Sequence, residues 1–176
     1  MLGLPRQHRV DPSDLERRFR ERSRQLHPDR FARAPARERR ISLERATRLN
    51  DAYRVVRDPR RRAAYLLALL GAESAAGAGT REAPEFLEEQ LELREELACA
   101  RRSADERVPR RIAATVRERL AAIDAEVARL LEPAGPDPGA LSAVARALVH
   151  SRYLESVLAE ADPDAAPPRA GGRARP

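Results

Sequence analysis

The tripeptide His27-Pro28-Asp29 places an imidazole and a carboxylate on either side of a proline ring. These groups can exchange protons with a substrate, or they can pair with charged groups of another protein. General-base catalysis by His27 requires a pocket and a partner acid. Pro28 disfavours helix for the residue before it and predicts a stiff, exposed turn instead. The tripeptide therefore predicts a docking turn, and we expect that the chain is not an enzyme.

The remaining candidates for catalytic or metal-binding residues are weak. Cys99 adjoins the apolar stripe of a predicted helix, and we interpret it as a small buried hydrophobic residue. His8 and His150 are interpreted as ordinary surface residues. A single cysteine excludes an internal disulfide and a clustered thiolate site, which is typical of a reducing compartment. We expect no metal and no cofactor.

Arginine supplies every basic side chain of the protein, and the formal net charge is +6. Clustered cations can bind a nucleic-acid backbone by displacing its counterions. The 28 acidic residues are interspersed among the arginines, however, and the few aromatic residues do not alternate with them as stacking platforms would. A mixed-charge solvated surface is favoured, and a basic helical nucleic-acid-binding protein is the least favoured function.

The apolar composition predicts helices. Hydrophobic residues make up 42% of the chain, but aromatic residues only 3%, and tryptophan is absent. The interior must be built from leucine, alanine, valine and isoleucine, which favours an all-α fold. No apolar run reaches the ~20 residues of a membrane span, and the chain does not begin with a secretory signal pattern. A cytoplasmic protein that does not bind membranes is expected.

Three helices are predicted around the docking turn. The first begins at Pro12 with Asp11 as its N-cap, and it ends near Leu26. The second spans about 36–57, and the third follows Asp58-Pro59 and ends before Gly71. Their predicted core residues are Leu15, Phe19, Leu26, Ala46, Leu49, Tyr53 and Val56. On the opposite side of the first helix, a continuous positive ridge is predicted from Arg17, Arg20 and Arg24.

The second half of the chain predicts three more helices, at about 84–102, 105–131 and 138–161. The middle helix has an apolar stripe on one face, formed by Val108, Ile112, Val116, Leu120, Ile123, Val127 and Leu130. Short connections between such helices favour an antiparallel three-helix bundle. We therefore predict a first domain at 1–71, a linker at 72–83, a bundle at 84–160 and a disordered tail at 161–176.

The first bundle helix carries more apolar surface than a bundle requires. Its core stripe comprises Phe86, Leu93, Leu97 and Ala100. A second stripe, some 100–140° away on a helical wheel, comprises Leu87, Leu91 and Ala98. If this stripe is exposed, it would mark a contact with another protein, with Glu88, Glu92 and Glu95 as its polar rim. Alternatively, Leu87 and Leu91 pack against the first domain or the linker, and the sequence leaves both possibilities open.

The first ~70 residues resemble a J-domain, the module of DnaJ-type co-chaperones, with His27-Pro28-Asp29 between its two long helices. The segment from Leu49 to Tyr53 and the later run Asp58 to Leu67 resemble the third and fourth helices of that module. The form Arg-Ala-x-Tyr-Leu-Leu, followed at 86–97 by Phe-Leu-Glu-Glu-Gln-Leu-Glu-Leu-Arg-Glu-Glu-Leu, resembles the HscB family of iron–sulfur cluster biogenesis. The likeness covers about residues 2–160. It implies an all-α fold, with an N-terminal J-domain whose first helix is reduced to a stub and a C-terminal three-helix bundle.

The resemblance also implies two protein partners. One is a DnaK-type (HscA-like) chaperone, whose ATPase the J-domain stimulates; the other is an iron–sulfur cluster scaffold protein (IscU-like), which the bundle holds and delivers. The implied chaperone-binding residues are His27, Pro28, Asp29, Arg17, Arg20, Arg24 and Arg30. The implied scaffold-binding residues are Leu87, Leu91, Glu92, Glu95 and Tyr153. A J-domain adaptor for a different client is the alternative, and a monomer or weak dimer is expected.

Overall fold

The computed structural model describes residues 1–72, 84–132 and 135–162, which contain six α-helices, one short 3-10 helix and no strand. The helices are α1 (Pro12–Leu26), α2 (Ala36–Arg57), α3 (Pro59–Leu69), α4 (Pro84–Ser103), α5 (Arg107–Leu130) and α6 (Pro138–Ala161), with the 3-10 turn at Pro28–Phe31. The predicted all-α fold is confirmed. The predicted linker (72–83) lies outside the described residues except for residue 72. The predicted tail (161–176) lies outside them except for residues 161 and 162.

The described residues fall into two compact units. The first contains residues 1–72 with 128–132 and 135–144, and the second contains 84–127 with 145–162. The end of α5 and the beginning of α6 thus group with the N-terminal helices. The domain boundaries drawn from the sequence pattern stay a prediction.

The helix ends of the first unit follow from local capping. The Asp11 side chain accepts a hydrogen bond from the Ser13 amide at 2.9 Å, with Pro12 at the first helical position. Asp58 caps α3 in the same way. After α3, Gly71 has a φ of +70°, a left-handed conformation that glycine adopts without steric cost. The predicted N-cap at Asp11, the predicted helix start at Asp58-Pro59 and the predicted terminating glycine are therefore confirmed.

Helices α1 and α2 pack antiparallel around the core of the first unit. The Phe19 and Tyr53 rings stack with centroids 4.1 Å apart, and the Ser42 hydroxyl donates to the Leu26 carbonyl at 3.0 Å. Contacts therefore move toward the start of α2 as α1 advances. Buried Leu2, Leu15 and Leu49 form the core, and partly buried Leu4, Val10, Phe19, Leu26, Ala52, Tyr53 and Val56 pack against it. Ser42, which the sequence analysis did not include, ties the end of α1 to α2.

The chain before α1 is an irregular segment, as expected from a reduced first J-domain helix. Leu2 is buried in the core, and Arg18 Nη1 donates to the Gly3 carbonyl at 2.8 Å. The interpretation of His8 as a surface residue is wrong. Its side chain is buried, and Nε2 lies 3.2 Å from the Pro59 carbonyl oxygen. This long-range contact holds the segment against α3.

We expect Leu49→Ala to lower the free energy of unfolding by about 2–5 kcal/mol, because truncating a buried leucine removes apolar contacts and leaves a cavity. Leu49 is 1% exposed, whereas Leu43 on the same helix is 58% exposed. The matched variant Leu43→Ala should therefore change stability by no more than ~0.5 kcal/mol. Urea unfolding followed by circular dichroism measures both. Equal destabilisation by the two substitutions would contradict the assigned core.

The second unit has a core built from all three of its helices. Its buried residues are Leu97, Ile112, Val116, Leu120, Leu154 and Val157, and Leu93, Val108, Ile123, Leu158 and Ala161 pack against them. This core confirms the apolar stripes predicted for α4 and α5.

Ion pairs in the second unit define the helix directions. Glu89 of α4 pairs with Arg119 at 2.6 Å and Glu96 pairs with Arg111, so α4 and α5 are antiparallel. Arg94 lies 3.4 Å from Glu160 of α6, whereas Phe86, two turns earlier in α4, contacts the earlier residue His150 of α6. Helices α4 and α6 are therefore parallel. The up-down-up arrangement is the predicted antiparallel three-helix bundle.

The interpretation of Cys99 as a buried residue is wrong, because its side chain is exposed. Cys99 is next to Ala100 in the chain, but consecutive residues on a helix point about 100° apart. Its position on the wheel is on the solvent side, away from Leu97 and Ala100, which are buried. The thiol therefore contributes nothing to the bundle core.

Candidate functional site

The tripeptide His27-Pro28-Asp29 forms an exposed turn between α1 and the 3-10 helix. His27 has an extended backbone, with φ −60° and ψ 129°, which ends α1. Its Nδ1 accepts a hydrogen bond from the Asp29 amide at 3.3 Å and lies 3.5 Å from Asp29 Oδ2. The imidazole is thus used as a cap of the next turn. The Asp29 side chain is 89% exposed, so its carboxylate is accessible to another protein.

Electrostatic pairing divides the arginines near this turn into two groups. Arg17 pairs with Asp14 and, at 3.3 Å, with Glu21, while Arg20 lies 2.5 Å from Glu16. The hydrogen bond that Arg17 donates to the Asp14 carboxylate raises the pKa of Arg17. The expectation of a continuous positive ridge from Arg17 to Arg24 is therefore wrong. Acids three and four residues away along α1 neutralise its first part, as helical spacing allows.

The second group, Arg24 and Arg30, has no ion pair with a carboxylate in the described part of the chain. The Arg30 Nη1 donates to the Arg24 carbonyl at 3.4 Å, which holds Arg30 against the last turn of α1. A cleft of about 610 Å³ is lined by Phe19, Arg20, Ser23, Arg24, His27 and Arg30. Positive charge available to a partner is thus concentrated at the end of the helix that adjoins Asp29.

On α4, the second apolar stripe is exposed. Leu87 and Leu91 are 45% and 58% exposed, and Glu88, Glu92 and Glu95 beside them are also exposed. The alternative in which these leucines pack against the first domain or the linker involves residues outside this unit and stays a prediction. Two leucines one helical turn apart with an acidic rim have the composition of a protein-binding surface.

Tyr153 of α6 lies beside the first turn of α4. Its ring meets the Phe86 ring edge-on at a centroid distance of 5.6 Å, and Phe86 stacks on His150 at 4.0 Å. The interpretation of His150 as an ordinary surface residue is therefore wrong, because its half-buried ring packs on α4. The spacing of His150 and Tyr153, three residues apart on one helix face, was the available signal. The three rings fix the turn that carries Leu87.

Gln90, in the same part of α4, is a buried residue that the sequence analysis did not single out. It is 2% exposed, and neither amide atom of its side chain has a hydrogen-bond partner in the described part of the protein. A buried amide without a partner is energetically unfavourable. The start of α4 therefore contains a buried amide that no described residue satisfies.

Comparison with known proteins identifies the family. A family model described as the HSCB C-terminal oligomerisation domain matches residues 82–162. The co-chaperone protein HscB homolog of Azoarcus sp. (strain BH72) is 36% identical over 162 residues, which are 92% of this chain and 89% of that protein. The chain belongs to the HscB co-chaperone family. The HscB homolog of Vibrio cholerae is 46% identical over 105 residues, which are 60% of this chain and 61% of that protein.

Solved HscB structures share the fold. Chaperone HscB from Vibrio cholerae superposes with a TM-score of 0.67 at 33% identity, covering 92% of this chain and 93% of that one. Human co-chaperone protein HscB gives a TM-score of 0.66 at 23% identity, covering 94% and 82%, which is a likeness of fold alone. The predicted J-domain with a C-terminal helical bundle is confirmed. The chain is therefore a co-chaperone. Its family is the one that the sequence resemblance links to iron–sulfur cluster biogenesis.

No helix in the three described ranges is long and apolar enough to cross a bilayer. Within the same ranges, histidine, cysteine and acidic side chains do not gather in threes or more as a metal site would require.

Proposed function

We propose that this co-chaperone delivers an iron–sulfur cluster scaffold protein (IscU-like) to a DnaK-type (HscA-like) chaperone and stimulates that chaperone's ATPase. The main support for this proposal is the exposed His27-Pro28-Asp29 turn in a member of this family. Two arginines beside the turn form no ion pair with a carboxylate of the described residues. In this proposal the chain forms no covalent intermediate and is not itself an enzyme. It acts in the cytoplasm, by bringing two other proteins together.

The chaperone side rests on complementary charge. Asp29 presents an almost fully exposed carboxylate, which can accept two parallel hydrogen bonds from an arginine of the chaperone. Arg24 and Arg30 can contact acidic groups of the same partner without first releasing a carboxylate of their own. Pro28 and the cap made by His27 keep the turn in one conformation before binding, which lowers the entropy lost on docking.

The scaffold side rests on the exposed surface of α4. Leu87 and Leu91 supply apolar area, Glu92 and Glu95 supply the polar rim, and Tyr153 stands at the edge of this surface against Phe86. Aromatic and leucine side chains ringed by charges are typical of protein interfaces. The resemblance to the HscB family implies a contact with the scaffold protein. We therefore assign this contact to these five positions.

Holding the scaffold on one unit while the other docks on the chaperone raises the scaffold's effective concentration there. Stimulated ATP hydrolysis then changes the chaperone's affinity for the scaffold it has received. The two partner sites are coupled by free-energy linkage, so each partner strengthens the effect of the other.

A titration of chaperone ATP turnover with this protein, in the presence and absence of scaffold, tests the proposal. We expect each protein alone to give partial stimulation and the two together to exceed the sum, at a lower half-saturating concentration of co-chaperone. An ATPase rate that does not respond to this chain would refute the chaperone role. Stimulation that is indifferent to scaffold, combined with no capture of scaffold by the immobilised chain, would favour a different client.

The division of the arginines predicts unequal contributions to chaperone docking. Arg24→Ala/Arg30→Ala should raise the half-saturating concentration about tenfold, because two contacts to the partner are lost. Arg17→Ala/Arg20→Ala should raise it only about twofold, since those side chains are already paired on α1 and exposed pairs are weak. Both doubles remove two positive charges, so the difference reports contact and not net charge. ATPase titrations measure it, and equal effects would contradict the assignment.

A further inference from the structure

The cleft at the end of α1 is lined by arginines, and none of the described residues in its walls carries a carboxylate. Its volume of about 610 Å³ lies within the range of small-molecule sites. Its lining residues are Phe19, Arg20, Ser23, Arg24, His27 and Arg30. A smaller cleft of about 310 Å³ in the same unit contains Glu16 beside its arginines. An anion that enters the larger cleft therefore meets no like charge in its walls.

Two of the three arginines in this cleft are available to a ligand. The Arg20 guanidinium lies 2.5 Å from the Glu16 carboxylate, whereas Arg24 and Arg30 have no such ion pair among the described residues. Both side chains are exposed, so a solute can reach their nitrogen atoms. The hydrogen bond from Arg30 Nη1 to the Arg24 carbonyl, at 3.4 Å, leaves most of the donors of that guanidinium unused. Two unneutralised guanidinium groups at one cleft favour a ligand with two negative charges.

The cap made by His27 determines which of its ring nitrogens can donate to a ligand. Because Nδ1 accepts from the Asp29 amide at 3.3 Å, the neutral ring carries its proton on Nε2. The cap does not use that N–H group, which can donate to a ligand oxygen. The Asp29 carboxylate lies 3.5 Å from Nδ1, at the other ring nitrogen, and does not line the cleft. The cleft thus offers two guanidinium groups and an imidazole N–H to an oxyanion.

We propose that this cleft binds a phosphate dianion, either as free phosphate or as the phosphate group of a small monoester. Guanidinium groups match the paired oxygens of phosphate, and two of them balance its two charges. A carboxylate or a phosphate diester carries one charge and leaves one arginine unpaired. Arg24 and Arg30 are also assigned to chaperone docking, so a bound dianion and the chaperone exclude each other. This exclusion rests on the proposed function, whereas binding of the dianion does not.

Inorganic phosphate, glycerol phosphate and dimethyl phosphate test the site by heteronuclear NMR, each titrated into the ¹⁵N-labelled full chain at constant ionic strength and about pH 8. We expect a Kd of about 5 mM or tighter for the two dianions, with amide shifts concentrated at residues 23–31. Dimethyl phosphate should bind about tenfold more weakly, because it carries one charge. A higher affinity for glycerol phosphate than for phosphate would indicate an organic monoester as the ligand, and an equal or lower one would indicate free phosphate; both support the site. No shifts up to ~20 mM phosphate, shifts spread over other arginines, or equal binding of dimethyl phosphate would overturn the proposal.

Two double variants with the same loss of charge separate the cleft from the rest of the arginine-rich surface. Arg24→Gln/Arg30→Gln should weaken phosphate binding about tenfold or more, because both unpaired guanidinium groups are lost. Arg37→Gln/Arg48→Gln removes two exposed arginines of α2 and should leave the Kd within about twofold of the wild type. All four side chains are exposed, so both variants should fold. Equal weakening in the two variants would overturn the proposal, since it would show a general effect of net charge.

Chaperone ATPase titrations in the presence of phosphate test the exclusion. Phosphate at twice its measured Kd should raise the half-saturating concentration of the wild-type chain about threefold, as competition for one site requires. The value for Arg24→Gln/Arg30→Gln should not change, which controls for a direct effect of phosphate on the chaperone. An equal rise for both chains, or no rise for the wild type, would overturn the exclusion. A chaperone that responds to neither chain would refute the proposed function together with the exclusion, while the NMR titration alone decides the phosphate site.

Discussion

An Asp29→Asn protein is expected to raise the concentration needed for half-maximal stimulation of the chaperone ATPase about thirtyfold or more. The substitution keeps the shape of the side chain and removes its charge. Loss of one member of a hydrogen-bonded charge pair at an interface costs about 2 kcal/mol or more, which corresponds to that factor. The fold should be unaffected, because the Asp29 side chain is almost fully exposed. The hydrogen bond to the capping residue His27 is donated by the Asp29 backbone amide, which the substitution keeps.

Asp51→Asn is the matched control for this experiment. Asp51 is also an exposed aspartate of the first unit, on α2, and its carboxylate lies 3.6 Å from Arg54 of the same helix. We expect its ATPase titration to coincide with that of the wild type and both variants to melt within a few degrees of it. Wild-type stimulation by Asp29→Asn would remove the exposed turn from the mechanism. Equal losses in the two variants would show that net charge, and not the turn, is responsible.

Local signals explain why the helix boundaries were predictable from the sequence. Asp11 and Asp58 are each followed by proline, and each caps the next helix. Their side chains accept hydrogen bonds from backbone amides two or three residues later. Gly71 ends α3 through its own backbone conformation. The apolar period of α5 was equally informative, because its stripe coincides with the buried residues Ile112 and Val116. Each of these features depends on residues within one or two helical turns, and so the sequence contains them directly.

Features that depend on distant residues were not predictable in the same way. His8 is buried because the segment before α1 folds back onto Pro59, 51 residues later. His150 is half-buried because Phe86, from another helix, stacks on it. Wheel analysis shows which face a residue occupies, but it does not show which faces meet. Polar residues at such contacts carry no apolar signal, and the sequence pattern therefore predicts a surface position for both histidines.

The sequence predicts which residues form the candidate sites, but it does not predict how their charges are paired. The turn at His27-Pro28-Asp29 and the stripe containing Leu87 were located by residue type and spacing, and both are exposed. The positive ridge predicted from Arg17 and Arg20 does not account for the acids spaced three and four residues from them. Side-chain pairing therefore moves the available positive charge to Arg24 and Arg30. The proposed docking surface is therefore smaller than the sequence indicates, and it lies closer to Asp29.

The Leu87→Ala/Leu91→Ala protein is expected to lose about 2–4 kcal/mol of scaffold binding, which is roughly a thirtyfold to thousandfold increase in Kd. Both leucines are exposed on one face of α4, so their truncation removes apolar contact area from a partner and leaves the bundle core intact. Stimulation of the chaperone without scaffold should equal that of the wild type, because the docking turn is unchanged. Only the additional stimulation that depends on scaffold should disappear.

Isothermal titration with scaffold measures this loss, and Leu43→Ala/Leu70→Ala provides the matched control. That pair removes two exposed leucines of the first unit, so it equals the first double variant in chemistry and in apolar area. Retained affinity in the control with a large loss on α4 would locate the scaffold on the Leu87 surface, since a general effect of apolar area would weaken both. Unchanged binding by the α4 variant would contradict this location while leaving the chaperone-docking turn, tested separately by Asp29→Asn, unaffected.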